Sequence, residues 1–374
     1  SMDTPPGFNL FRARAIKEVV NVPVIGVGRI SDPVLAEQAL ERGDADLISF
    51  GRQHLADPDF IHKVRSGDLN DIRPCVACNQ GCIERLSFEM KSATCSFNPE
   101  CGQEFRITKP AEVPKKVWVI GAGPAGLSAA LAAAERGHRV EIFEQEGSVG
   151  GQLRSASRPP HKEGFWNWVE WALRSLAKQG VEVKLNKTVS SDMLIKGKPD
   201  AVIMATGAFP ITADIPGIDL PHVVDARDVL MKKIPVKGPV GILGAGYVGM
   251  ETADFLTTQG IQVVILEMQA FPPVGKQTAH GYWLHKRIRD GGGKMYFGAR
   301  VTRIDPDAVH FSKGDEDNAV AAATVITAMG ARADNTLEAA LREAGITYVV
   351  AGDAKGPRRI LEAIHEGHKA GREI

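Results

Sequence analysis

Outside one short stretch the chain has no cysteine: all five lie between Cys75 and Cys101 of 374 residues. That distribution excludes a disulfide scaffold spread through a secreted domain. It also leaves no redox dithiol elsewhere in the chain, so a thioredoxin-reductase-like mechanism has no residues to work with. Net charge is missing too, because 45 basic and 45 acidic residues cancel. No overall field is then available to hold nucleic acid or an anionic membrane, and small diffusible substrates are the expected partners. The most apolar long stretch, 117–134, is broken by Gly121, Gly123, Pro124 and Gly126, and reads as strand, turn and helix instead of a membrane span. No basic-then-apolar secretory leader is visible, Ser1-Met2 reads as the scar of a removed tag, and a cytoplasmic location is expected. The ten histidines form no H-x3-H pair on a helix, and solvated or packing roles are expected for them. Phe165, Trp166, Trp168 and Trp171 fall on one expected helix, where that spacing points to domain packing.

What is present is a repeat. Lys116 to Gly121 is a short apolar strand that runs into Gly121-Ala122-Gly123-Pro124-Ala125-Gly126, an Ala/Leu-rich helix and a second strand, Arg139 to Glu144. The same order recurs from Val240 through Gly244-Ala245-Gly246-Tyr247-Val248-Gly249, a helix through Thr258 and the strand Gln262 to Glu267. The offset is 123 residues at the first glycine (121 to 244), at the acidic residue (144 to 267) and at a third pair of strands, VIMATG from Val202 and VITAMG from Val325. Two copies of one architecture are therefore expected. The strand Ile346 to Val350, the turn Gly352-Asp353 and a helix from Arg358 have no counterpart in the repeat, and are expected to complete the first domain.

A lone G-x-G-x-x-G is weak, but each copy here follows a strand, opens a helix and has a carboxylate at the end of the next strand. The first glycine permits the tight turn, the second lets backbone N–H groups approach a pyrophosphate, and the third allows close helix–strand packing. Glu144 and Glu267 would accept from ribose hydroxyls. A carboxylate at Glu267 with no arginine in Met268-Gln269-Ala270 favours NAD over NADP. Gly150-Gly151-Gln152-Leu153 and Gly352-Asp353, where an aspartate can bond a ribityl hydroxyl, assign FAD to the first copy.

Cys75, Cys78, Cys82 and Cys95 give C-x2-C-x3-C-x12-C. Four soft ligands at this density suit zinc or an iron–sulfur cluster. The third and fourth are not a paired knuckle, and two redox dinucleotide domains lie next door, so a cluster is favoured. Cys101 is outside the pattern and reads as a small packing residue or a free thiol. Ahead of the cysteines, Val22 to Arg29 and Ala45 to Arg52 read as strands, each followed by a helix opening at Asp32-Pro33 or Asp57-Pro58. Consecutive β/α units suggest part of a barrel. Gly28, Arg29, Gly51 and Arg52 then fall just past strand ends, where such barrels bind the phosphate of FMN. Two strands cannot close a barrel, so the remaining strands are expected from a longer native chain or from another polypeptide.

In their order VPVIGVGRI, ISFGR, RPCVACNQGC, VIGAGPAGLSAA, VGGQL, VIMATG and AGDAKGPRRILEAIHEG, the residues from Pro5 onward resemble the family of trimethylamine dehydrogenase and dienoyl-CoA reductase. These are NADH:flavin oxidoreductases related to old yellow enzyme. The resemblance implies an α/β chain of four parts: the C-terminal segment of a (β/α) barrel over 1–66, an iron–sulfur connector over 67–114, an FAD- or ADP-binding domain over 115–230 plus 345–374, and an NAD(H)-binding domain over 231–344. The last two would be Rossmann-like domains of glutathione-reductase type. It assigns Gly28, Arg29, Gly51 and Arg52 to FMN and Cys75, Cys78, Cys82 and Cys95 to a [4Fe-4S] cluster. Gly121, Gly123, Gly126, Glu144, Gly151, Gln152, Leu153, Thr206, Gly207, Gly352 and Asp353 go to FAD, and Gly244, Gly246, Gly249 and Glu267 to NAD(H). The implied activity is passage of electrons between these groups to reduce an enoyl or enoate substrate. The alternative is an amine dehydrogenase segment that holds ADP or FAD and delivers electrons to an acceptor protein. The cysteine spacing mixes the two branches, the family's substrate acids and bases have no counterpart here, and a homo-oligomer remains open.

Overall fold

Two five-stranded parallel sheets carry most of the chain. In the first the order is Tyr348–Val350, Ala201–Met204, Lys116–Ile120, Arg139–Phe143 and Glu182–Lys184. In the second it is Lys294–Phe297, Val263–Glu267, Val240–Leu243, Thr324–Thr327 and Val223–Asp225. The central strands are continuous runs of Val, Ile, Leu and Ala because both faces of each sheet are covered, by helices or, on one face of the second sheet, by an antiparallel meander, leaving no solvent side to alternate toward. Val117, Val119, Ile203, Val240, Ile242 and Ile265 are all at 0% exposure.

The computed structural model describes residues 1–106 and 108–374, and divides them into two units. The first holds residues 1–151, 164–207 and 335–374, and the second 152–163 and 208–334. The sequence pattern sets the boundaries at 230/231 and 344/345. The structure sets them at 207/208 and 334/335, since Val223–Asp225 pairs with Thr324–Thr327 and Ala208–Pro210 with Ala331–Ala333. The second unit also contains an antiparallel meander, Arg300–Ile304, Ala308–Lys313 and Glu316–Ala321, which buries Val309 and Phe311 against Leu243 and Leu266.

The N-terminal strands are shorter than the sequence pattern. Only Ile25–Gly26 and Leu47–Ile48 pair, in parallel. With no third strand beside them, Val22, Ile25 and Leu47 stay 66%, 57% and 55% exposed. The helix Pro33–Glu41 opens at Asp32, whose carboxylate accepts from the Val34 N–H, a standard N-cap. The other Asp-Pro pair leads into the helix Phe60–Ser66 through one turn, with the Asp57 carboxylate accepting from the Asp59 N–H at 3.1 Å. A short helix, Arg52–Ala56, precedes it, and Phe60–Ser66 begins after it. The second oxygen of the Asp57 carboxylate accepts from the Lys63 ammonium and the Arg73 N–H. In the connector, Gln80–Glu84 forms a π-helical turn around Cys82. Among the described residues no helix is long and apolar enough to cross a membrane.

Candidate functional site

The three glycines of each loop do three different jobs. Gly121 has φ +103, and a Cβ there would lie 2.3 Å from the Ala205 carbonyl oxygen; Gly244 has φ +107 and would meet the Ala328 oxygen at 2.5 Å. The third glycines sit so close to their own loops that a Cβ would fall 1.9 Å from Gly121 O (Gly126) or 2.0 Å from Gly244 O (Gly249). The second glycines are different. Gly123 and Gly246 have ordinary extended backbone, φ −75 and φ −67. A Cβ on Gly123 would meet only the Gly151 Cα, at 3.9 Å, and one on Gly246 would meet nothing within 4 Å. Nothing in the protein requires glycine at these two positions, so each leaves an open cradle at a helix N-terminus, the place a pyrophosphate occupies.

Both acidic residues are buried and face their loops. Glu144 accepts from the Ala122 N–H (2.8 Å) and the Glu146 N–H (2.9 Å). Glu267 accepts from the Ala245 N–H (2.8 Å) and the Gln269 N–H (2.8 Å). Each carboxylate therefore fixes its glycine loop, and each oxygen keeps a further lone pair for a ribose hydroxyl. Around the first loop, Gly150 N–H donates to Ala122 O at 2.8 Å, and Gly151 stands against Gly123. Thr206 and Gly207 follow the Ala201–Met204 strand, Gly207 with φ +86. Asp353 lies in the turn Gly352–Ala354 and accepts from the Arg358 N–H. Gln152 and Leu153 belong to the second unit, where Leu153 begins a short helix.

All five cysteines are free thiols, and Cys78 and Cys101 are buried. Burial pushes the Cys78 thiol up to about 11, helped by Cys75 and Cys82. It pushes Cys95 up to about 12, helped by Cys78 and Cys75. Cys75 and Cys78 interact electrostatically with both Cys82 and Cys95, and Cys82 acts on Cys101 as well. Among the described residues no three His, Cys, Asp or Glu side chains gather around the position of one ion. Four cysteine thiols are the donor set that an iron–sulfur cluster, which brings its own sulfides, takes.

Of the residues assigned to FMN phosphate, Arg29 turns its guanidinium to the Met2 and Thr4 carbonyls, and Arg52 reaches the Asn79 side chain in the cysteine segment. Gly28 has φ +145 and Gly51 caps Arg52–Ala56. Sequence reasoning missed a buried polar group in the second unit. Glu251, on the helix Tyr247–Thr257, accepts from Lys162 at 2.6 Å and lies 3.3 Å from His280, on which Tyr247 stacks. Burial alone would raise the Glu251 carboxyl, but Lys162 and His280 pull it below its usual range. An acid on the inward side of a helix that follows a glycine loop was the available signal.

Residues 115–352 match the pyridine nucleotide-disulphide oxidoreductase family, and residues 6–71 the NADH:flavin oxidoreductase / NADH oxidase family. The chain is 35% identical over 376 residues to an NADH oxidase of Thermoanaerobacter brockii, covering 98% of this chain and 58% of that protein. It is 33% identical over 363 residues to a cinnamate reductase of Clostridium sporogenes, covering 96% of this chain and 54% of that one. A solved 2-naphthoyl-CoA reductase in complex with 2-naphthoyl-CoA superposes with a TM-score of 0.94 at 30% identity, over 100% of this chain and 57% of the other. The chain therefore spans little more than half the length of the relatives it matches.

Proposed function

Because the chain belongs to the pyridine nucleotide-disulphide oxidoreductase family, joined to an NADH:flavin oxidoreductase segment, we propose that it is the electron-input portion of an NADH-dependent flavin and iron–sulfur reductase. Its substrate class is the enoyl or enoate type, in keeping with the names of the cinnamate and 2-naphthoyl-CoA reductases it resembles. The observation that carries the reading is the pair of open second glycines, Gly123 and Gly246, each facing a helix N-terminus with a buried glutamate beneath the loop. A purely structural duplication would have no use for the second cradle.

Gly244, Gly246 and Gly249 would hold the NADH pyrophosphate, with Glu267 on its ribose and no cation in Met268-Gln269 to favour a 2′-phosphate. Gly121, Gly123, Gly126, Glu144 and Gly151 would hold the FAD adenosine and pyrophosphate, and Asp353 its ribityl chain. Cys75, Cys78, Cys82 and Cys95 would hold a [4Fe-4S] cluster, with loss of the thiol protons on binding. When bound, FAD accepts a hydride and the cluster handles electrons singly, which is chemistry these side chains cannot supply themselves. The chain's own part is placement: the glutamates keep the glycine loops in their binding shape, and burial disfavours ionisation of the Cys78, Cys82 and Cys95 thiols until iron is present. FMN would be retained only with the preceding barrel strands, which would cover the exposed Ile25 and Leu47.

The test is anaerobic mixing of the reconstituted chain with NADH, with extracted cofactors measured by mass. Bound FAD that bleaches within the mixing time supports the reading. Bound flavin that NADH leaves oxidised, with the second loop holding ADP alone, refutes it.

A further inference from the structure

The C-terminal helix Ile360–Glu373 meets the cysteine segment at several points. Leu361 packs on Gly81, where a Cβ would lie 3.1 Å from its Cδ1 and 2.7 Å from the Ser96 nitrogen. Arg359, the residue before the helix, places its guanidinium 2.6 Å from the carboxylate of Glu84, which is 4% exposed in the turn that carries Cys82. The His365 ring nitrogen Nε2 is 2.9 Å from the carbonyl oxygen of Cys95. A carbonyl only accepts, so His365 carries its proton on Nε2 and donates.

The next residue faces the flavin loop. Glu366 accepts from the Gly352 N–H at 3.1 Å and from Arg358 at 2.6 Å, while the Arg358 N–H donates to Asp353. Consecutive residues of one helix therefore hold the Cys95 loop and the Gly352-Asp353 turn. The same helix lies close against Pro124–Glu135, where a Cβ on Gly367 would fall 2.0 Å from Ala125 O. It has no room to slide.

We propose that His365 is a positioning residue for the cluster, fixing the Cys95 loop relative to the Gly352-Asp353 turn and setting the cluster's reduction potential through its hydrogen bond to the Cys95 carbonyl. This rests on the cluster reading above. An N–H dipole aimed at the peptide of a ligating cysteine stabilises the added negative charge of the reduced cluster, so it raises the potential. Removing the donor lowers it.

The experiment is an EPR-monitored dithionite titration of the reconstituted 374-residue chain, with iron and labile sulfide counted, for wild type, His365→Ala, His365→Gln and His368→Ala. His368 lies on the same helix, lines a cavity of about 140 Å³ with Arg73, Glu135 and Trp168, and serves as the control for a general packing effect. The expected result is a negative shift of the midpoint in His365→Ala, recovery in His365→Gln through its amide N–H, and no shift in His368→Ala. An unmoved potential in His365→Ala, or an equal shift in His368→Ala, overturns the inference. If His365→Ala loses its iron, retention at the wild-type potential in His365→Gln supports the proposal and equal loss in both overturns it. A wild-type chain without any cluster signal overturns the cluster reading, and this inference with it; a cluster present at an unmoved potential overturns this inference alone.

Discussion

The helix after the first glycine loop, Pro124–Glu135, is built mostly of Ala, Gly, Ser and Leu, whereas its counterpart in the second copy, Tyr247–Thr257, carries Glu251 and Asp254 on its buried side. The first is covered by the C-terminal helix at backbone contact: Cβ atoms on Gly367 and Gly371 would lie 2.0 Å from Ala125 O and 2.2 Å from Ala129 O. The second is clasped by charge. Arg287 donates to Asp254 through Nε (3.0 Å) and Nη2 (2.8 Å), and Lys162 and His280 face Glu251. The glycine loop itself is nearly identical in the two copies. A turn kept the same while its support diverges is what the proposed dinucleotide role of the turn predicts, since packing or charge can support it equally well.

If that is right, the two supports should fail differently. Asp254→Ala should have the largest effect, about 3–5 kcal/mol, because it strips a fully buried carboxylate from its ion pair with the Arg287 guanidinium. Denaturant unfolding of the pure chain measures it, and a loss confined to the second unit should be visible by hydrogen exchange. Gly367→Ala should cost about 1–3 kcal/mol by overpacking, all of it in the first unit. Equal destabilisation of both units by either change would erase the distinction.

The repeat was legible because a glycine turn, a period-3.6 helix and a buried strand each leave a local signature, and the same signature returned after a fixed offset. The supports were not legible. Lys162 reaches Glu251 across 89 positions, and His365 reaches Cys95 across 270, so no local pattern joins them. The boundary near 207/208 was hidden for the same reason: Ala208–Pro210 becomes a strand only by pairing with Ala331–Ala333. Arg29 follows a barrel-like strand end, yet its reach toward Met2 and Thr4 depends on where the N-terminal residues fold back.

Acid should separate the two regions as well. Burial pushes His368 down to about 4 from an ordinary 6.5, and shifts His138 and His365 in the same direction. The unfolded chain protonates these groups near 6.5 while the folded chain does not, so the first unit loses stability as pH falls from there toward 4. His285 moves the same way in the second unit. Glu251 is depressed below its ordinary 4.5, so its contribution is present above that value and is lost only as pH falls further. Thermal unfolding followed at about pH 5 should show the first unit melting earlier, and His368→Leu should narrow the gap. Coincident melting of both units would count against the assignment.

The most direct measurement of the central claim is a pair of alanine substitutions at the open glycines, Gly123→Ala and Gly246→Ala, compared by thermal unfolding, flavin content and anaerobic NADH titration. Neither position has a strained backbone or a crowded neighbour, so with flavin removed from all three chains both variants should keep the wild-type melting temperature. Gly123→Ala should lose bound flavin. Gly246→Ala should keep it and need at least about tenfold more NADH to reduce it, a loss of about 1.4 kcal/mol. Full reduction of Gly246→Ala at wild-type NADH concentrations, with flavin retained in Gly123→Ala, would contradict the claim that these two cradles hold the two dinucleotides.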